Sequence, residues 1–165
     1  MAIVLARVDD RVIHGQTMTR WVKQKPVDSL VVISDVVAAD ELRRKVLKAA
    51  AGNLKLGIYT VEQGVAALEK VQASSKRFYI ISDSIKGFAD LLRLGANFGD
   101  VLNIGNYNSA RKGTRNLGKA FLLNEEDVVE LDYLSAHGID IQFQPIPDDV
   151  PAAWSAMRSK WESLA

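Results

Sequence analysis

The chain contains two histidines, and one of them, His14, stands in a segment dense with charge: Arg7-Val8-Asp9-Asp10-Arg11-Val12-Ile13-His14-Gly15-Gln16. These residue types suit transfer of a phosphoryl group to and from nitrogen. Residues from Gln16 to about Lys25 have helical character, so His14 precedes a helix start, in the positive field of the helix dipole. That field disfavours imidazolium and keeps the ring neutral and nucleophilic. The helix end also offers free backbone N–H groups, and Gly15 permits close approach, so a phosphoryl group is a natural guest. Arg7 and Arg11 supply guanidinium groups that match phosphate oxygens and stabilise charge during transfer. Asp10 would hold one ring nitrogen or fix Arg11, leaving the other nitrogen free to attack. His14, Arg11 and Asp10 are therefore the catalytic candidates, with Arg7, Gly15 and Gln16 as phosphate-binding candidates. Residue types alone favour a plainer reading, in which His14 is a solvated loop residue and the arginines are structural ion-pair partners.

The elements that must position this loop follow from periodicity. Short β-branched runs alternate with longer helical patterns, the mark of repeated βαβ units. Strand candidates are Ile3 to Val8, Ser29 to Ser34, Leu56 to Tyr59, Phe78 to Ser82, Val101 to Ile104, Ala120 to Leu123 and Ile139 to Phe143. Several are apolar on both faces, as strands inside a parallel sheet are. Helix starts are marked by Asp40 or Ser34-Asp35 before Glu41 to Ala51, Thr60 before Val61 to Lys70, Ser84 before Ile85 to Leu94, and Asn124 before a helix reaching His137. Gly52, Gly95 and Gly138 are the stops. A last helix, Val150 to Leu164, carries Trp154, Met157, Trp161 and Leu164 at helical spacing. That stripe reads as core-facing, with an oligomer or membrane-surface contact as the lesser alternative. The predicted fold is α/β: an open, mainly parallel twisted sheet of about seven strands with helices on both faces, one domain over residues 1–165. Ligands of such sheets sit beyond the carboxyl ends of the strands. Beside the His14 loop, that rule selects Ser34, Asp35, Ser82, Asp83, Asn103 and Gly105 as provisional site residues, and Thr60-Val61 as a further segment.

Composition removes several function classes. Net charge is +1 and cysteine is absent, so there is no basic footprint for nucleic acid, no disulfide framework and no thiolate chemistry. With only two histidines a metal site is poorly supported; no metal and no cofactor are expected. Neither G-x-G-x-x-G nor G-x-x-x-x-G-K-[ST] occurs. No apolar run approaches the roughly 18 residues of a membrane span. Arg111-Lys112-Gly113-Thr114-Arg115 reads as a solvated loop within a polar segment from Asn106 to Lys119. A receiver-like or non-catalytic α/β signalling domain using the Asp9/Asp10 loop is the alternative. It lacks an acceptor aspartate at the end of the third strand, which runs Ile58-Tyr59-Thr60.

The segment from Arg7 to Gln16, followed by Trp21, closely resembles the N-terminal signature of the IIB components of the mannose/fructose/sorbose family of the bacterial phosphoenolpyruvate-dependent sugar phosphotransferase system. Ser34-Asp35-Val36-Val37-Ala38 and Asn103-Ile104-Gly105-Asn106 are similar to the family's segments after its second and fifth strands, and the resemblance covers nearly the whole chain. It implies that His14, through its Nδ1, accepts a phosphoryl group from a phosphorylated IIA protein or domain and passes it to a sugar held by the membrane IIC and IID proteins. It also implies a free-standing cytoplasmic protein, peripherally associated with the membrane through that permease. Val12, Val36 and Asn106 depart from the family's common Leu, Glu and Gly. The expected partners are therefore the phosphorylated IIA protein or domain, the IIC/IID permease and its sugar, with a homo-oligomer as a further expectation.

Overall fold

The computed structural model describes residues 2–165, the side chains of Gln16 and Thr17 excepted. The elements in order are β1 (Ile3–Asp9), α1 (Gly15–Gln24), β2 (Ser29–Ile33), α2 (Asp35–Ala39), α3 (Glu41–Ala51), β3 (Lys55–Tyr59), α4 (Val61–Gln72), β4 (Phe78–Ser82), α5 (Ile85–Arg93), β5 (Val101–Asn106), β6 (Arg115–Asn116), β7 (Leu122–Leu123), α6 (Glu125–Ala136), β8 (Asp140–Phe143), β9 (Ala152–Ala153) and α7 (Trp154–Ser163). Seven strands form one sheet, ordered β3-β2-β4-β1-β5-β8-β9. All its pairings are parallel except β8 with β9. This is the open, mainly parallel α/β architecture that the alternation predicts.

Local chemistry accounts for most boundaries. Thr60 with Gln63, and Asn124 with Asp127, form reciprocal capping boxes at the starts of α4 and α6. Ser84 caps α5. The two candidate caps ahead of Glu41 are both used, because Ser34 starts the short α2 and Asp40 starts α3. Gly95 and Gly138, at φ 83° and 87°, turn the chain out of α5 and α6.

Two expectations need correction. Ala120 to Leu123 is not a strand of the sheet; only Leu122–Leu123 is extended, and it pairs antiparallel with Arg115–Asn116 in a separate ribbon. Gly118 and Lys119 both take positive φ, so Leu117 to Phe121 folds into a turn, and Phe121 meets Tyr107 only in an isolated parallel bridge beyond β5. The seventh strand is instead Ala152–Ala153, cut from the front of the predicted last helix, which begins at Trp154.

The two faces of the sheet are covered differently. One face carries Ala6, Val8, Ile80, Leu102, Ile104, Ile141 and Phe143 against apolar side chains of α4, α5, α6 and α7. Trp154, Met157 and Trp161 are buried there, so these three of the stripe face the core, while Leu164 at its end is exposed. The other face carries Leu5, Leu30, Val32, Tyr79 and Ile81 against Trp21 of α1, Val37 of α2 and Leu47 of α3. At the β5–β8 end that second face carries Asn103, Gln142 and, just past β8, Gln144, which border an open groove of about 360 Å³ with Trp21 and Val101. β1 and β4 are neighbours, yet β1 leads to α1 on one face and β4 to α5 on the other. A crevice therefore opens at their carboxyl ends, and residues 10–14 hang over it.

Candidate functional site

The loop between β1 and α1 is anchored at both ends. Arg11 N–H donates to Asp9 Oδ1 at 3.0 Å and Val12 N–H to Asp9 O at 2.9 Å. The turn places Val12 at φ 64°, a left-handed conformation costing a β-branched residue on the order of 1–2 kcal/mol. Burial of Val12 and Ile13, 2% and 6% exposed, offsets that strain and leaves the next residue, His14, facing solvent. His14 is the N-cap of α1, with φ −124° and ψ 126°, and makes no side-chain capping bond. Behind it lies a void of about 10 Å³ bounded also by Asp9, Arg7, Met18 and Trp21, room for about one water.

Arg7, a phosphate-binding candidate from the sequence, lies buried beneath the surface of the loop. It is 2% exposed, because strand alternation points it with Leu5 and Asp9 toward α1. Its guanidinium donates to Asn103 Oδ1, to Gln144 O at 2.9 Å and to Pro145 O at 2.6 Å. It lies 4.9 Å from the ring centre of Trp21 and 3.8 Å from Asp9 Oδ2. Burial pulls its pKa down to about 10, against the opposing pull of Asp9. Gly105 is the only residue type that fits above it, since a Cβ there would overlap the guanidinium. Arg7, Asn103 and Gly105 thus form a buried polar cluster beneath the site.

Arg11 behaves differently. Its side chain is 44% exposed and its Nε is 3.7 Å from Asp9 Oδ1, so it is tethered at its backbone and free at its tip. Asp9 is 2% exposed; burial raises its pKa, while the Arg11 N–H and both arginines oppose the shift. Gly15 has open space around its missing side chain. The side chain of Gln16 lies outside the described residues.

Asp10 also needs a corrected role. Its carboxylate accepts from Asn106 Nδ2 at 2.5 Å, Asn108 N–H at 2.8 Å, Ser109 N–H at 3.0 Å and Ser109 Oγ at 2.9 Å. Those four donors commit it to the loop after β5 rather than to the imidazole or to Arg11. Asn106, where the resemblance led to an expected Gly, supplies one of them.

The remaining loops divide in the same manner. Ser34 is 3% exposed and Ser82 fully buried; Ser34 Oγ caps α2 and Ser82 Oγ accepts from Ser84 N–H. Asp35 accepts from Val61 N–H at 2.8 Å, joining α2 to α4. Asp83 is partly exposed at the crevice edge. Arg111 is partly buried rather than a freely solvated loop residue: it donates to Asp127 Oδ2 at 2.6 Å and Leu122 O at 2.8 Å and covers the ring of Tyr107. Sequence reasoning missed Gln144, Pro145 and Trp21 as partners of Arg7. The alternation Leu5-Arg7-Asp9 was the available signal that the cation is buried.

Comparison with known proteins places this arrangement in a family. Residues 3–164 match the family described as the phosphotransferase-system sorbose-subfamily IIB component. The fructose-specific EIIB component of Bacillus subtilis and the sorbose-specific EIIB component of Lacticaseibacillus casei are each 30% identical over 150 residues, 90% of this chain, spanning 91% and 90% of those proteins. The crystal structure of the IIBSor domain of the sorbose permease from Klebsiella pneumoniae aligns with a TM-score of 0.88 at 28% identity, over 97% of this chain and 98% of that one. Sequence and fold agree: the chain belongs to the sorbose-subfamily IIB components of the sugar phosphotransferase system.

Proposed function

We propose that this chain is a phosphocarrier that takes a phosphoryl group from a phosphorylated IIA protein onto His14 and delivers it to a sugar held by a membrane IIC/IID permease. The observation that carries the reading is the presentation of His14: an exposed, uncapped N-cap imidazole, held outward by two buried neighbours, in a loop whose Arg11 side chain is half-exposed. In the first step the donor's N–P bond breaks as phosphorus bonds to a ring nitrogen of His14. In the second, that bond breaks as a sugar hydroxyl oxygen bonds to phosphorus, and the hydroxyl proton ends on the released imidazole.

Arg11 neutralises the transferring group, and the free N–H groups of the first turn of α1 face the same region. Gly15 leaves that approach open. Asp9 positions Arg11, while Asp10 fixes the neighbouring loop. No described helix is long and apolar enough to cross a membrane, and the reading has the chain act at the cytoplasmic side through its permease. The test is phosphoryl labelling by phosphorylated IIA. The parent chain should take an acid-labile, base-stable label. His14→Ala should take none while its unfolding midpoint is unchanged, and undiminished labelling of that variant would remove the assignment.

A further inference from the structure

Three large apolar side chains stand exposed on the α2 and α3 side of the molecule. Val36, Leu42 and Val46 are 65%, 73% and 58% exposed. Leu42 and Val46 are one turn apart on α3, and Val36 and Leu42 line one open depression with Ala39, Asp40, Glu41 and Lys45. α3 is joined to the phosphoacceptor loop: Arg43 Nη2 donates to the carbonyl of Asp10 at 3.3 Å, and Leu47 shares a core with Val12 and Ile13. The helix that carries Leu42 and Val46 thus packs directly against the loop that ends in His14. The other large exposed apolar residues lie on other elements, Val101 at the start of β5, Leu94 after α5 and Val129 on α6 among them.

We propose that the Val36–Leu42–Val46 face is the docking surface for the phosphorylated IIA protein; the proposal rests on the reading of His14 as its acceptor. In-line transfer between two imidazoles brings the partner's surface onto His14, and a specific interface buries about 800 Å² on each side. The donor's phosphate rides on a side chain at a protein surface, so the flanks of both proteins meet. A sugar lies inside a binding site, which the tip of the His14 loop enters with less of its flanks. The loop held to Asp10 presents the polar Asn108 and Ser109, and Arg11 is half-exposed, so the apolar anchors of such an interface fall on α2 and α3. Arg43, Arg44, Lys45 and Lys48 outnumber Asp40 and Glu41 around the patch. The matching partner face is an apolar knob rimmed by carboxylates, which also steers the encounter.

The double variant Leu42→Ser/Val46→Ser tests this, and both positions are exposed enough for the fold to persist. Initial rates of His14 labelling are measured against the concentration of chain with phosphorylated IIA from the same transport system as donor. KM should rise about tenfold or more while kcat stays within about twofold. Labelling by phosphoramidate, a small donor that needs no docking, should be unchanged, and Val129→Ser should match the parent in both assays. An unchanged KM overturns the proposal. So does a defect confined to sugar phosphorylation by permease-containing vesicles, which assigns the face to the permease, or a fall in sedimentation mass at unchanged KM, which assigns it to a second copy. A parent chain labelled by neither donor overturns the His14 reading itself, a result distinct from the other three.

Discussion

Replacing Gly105 by alanine tests whether Arg7 is a buried structural cation. A Cβ at that position would overlap Arg7 Cζ and both terminal nitrogens. The guanidinium has no room to retreat, since Asn103, the carbonyls of Gln144 and Pro145, and the ring of Trp21 surround it. The strand cannot move freely either, because β5 is hydrogen-bonded between β1 and β8. The variant must therefore expel the guanidinium from its acceptors or distort the sheet. Each hydrogen bond to a charged group is worth about 1.5–3 kcal/mol, but they share one donor group and do not add. Breaking a buried ion pair costs about 3–5 kcal/mol, and that is the magnitude to expect for Gly105→Ala. At about 2–4 °C per kcal/mol for a chain of this size, the melting point should fall by about 10 °C. Urea unfolding of parent, Gly105→Ala, Arg7→Met and the double variant gives the coupling. In the Arg7→Met background the alanine should cost less than about 1 kcal/mol, so the cycle should be non-additive by about 2 kcal/mol or more. Additive costs, or a single variant within about 1 kcal/mol of the parent, would refute the reasoning.

Arg11→Ala should slow single-turnover transfer to His14 by about 100- to 1000-fold with a stability change under about 1 kcal/mol, because its ion pair is solvent-screened; an unchanged rate counts against its role. Asp10→Ala should strip exchange protection from the Asn108 and Ser109 amides before any other region and cost about 1–3 kcal/mol; intact protection there would contradict the clamp. Tyr79 donates to the carbonyls of Trp21 and Lys25, and burial raises its pKa above the ordinary 10. Its contribution is therefore complete below pH 10 and lost as pH rises beyond it, at about 1.4 kcal/mol per pH unit. Arg7 works in the opposite sense between about 10 and 12.5, but it is common to both proteins when parent and Tyr79→Phe are compared. Urea midpoints at pH 7 and pH 11 should show the variant weaker at neutrality and losing less on going to pH 11; parallel losses would reject the assignment.

What the sequence disclosed and what it hid divide by the range of the interactions involved. Thr60, Ser84 and Asn124 are caps whose partners lie three residues away, so their helices could be placed from local chemistry. The core strands are continuous apolar runs and were equally plain. Arg7 and Asp10 carry the same charges as Arg11 and Asp9, and nothing local separates them. Their roles come from Asn103, Asn106, Asn108, Gln144 and Pro145, which fold beside them from about a hundred residues further along the chain. Ala152–Ala153 is too short for any period to register, and the left-handed Val12 has no signature in a residue type that ordinarily avoids that conformation.

The division between the two arginines suggests why the loop carries both under the proposed reading. A phosphoryl group arriving on His14 brings negative charge to a helix end, and the cation meeting it must release what it already holds. Arg7 cannot: its donors are bound in a closed cluster, and withdrawing them would leave buried acceptors unpaired. Arg11 can. Its contact with Asp9 is long, at 3.7 Å, and its side chain is 44% exposed, so the pair is worth at most about 1 kcal/mol. A charge-assisted fork to phosphate is stronger and shorter than that contact. Asp9 keeps the Arg11 N–H and Arg7 as partners when the side chain swings away, so its carboxylate is not stranded. The fixed arginine preserves the floor of the site while the mobile one exchanges a weak ion pair for the phosphoryl group, and the loop geometry survives both halves of the cycle.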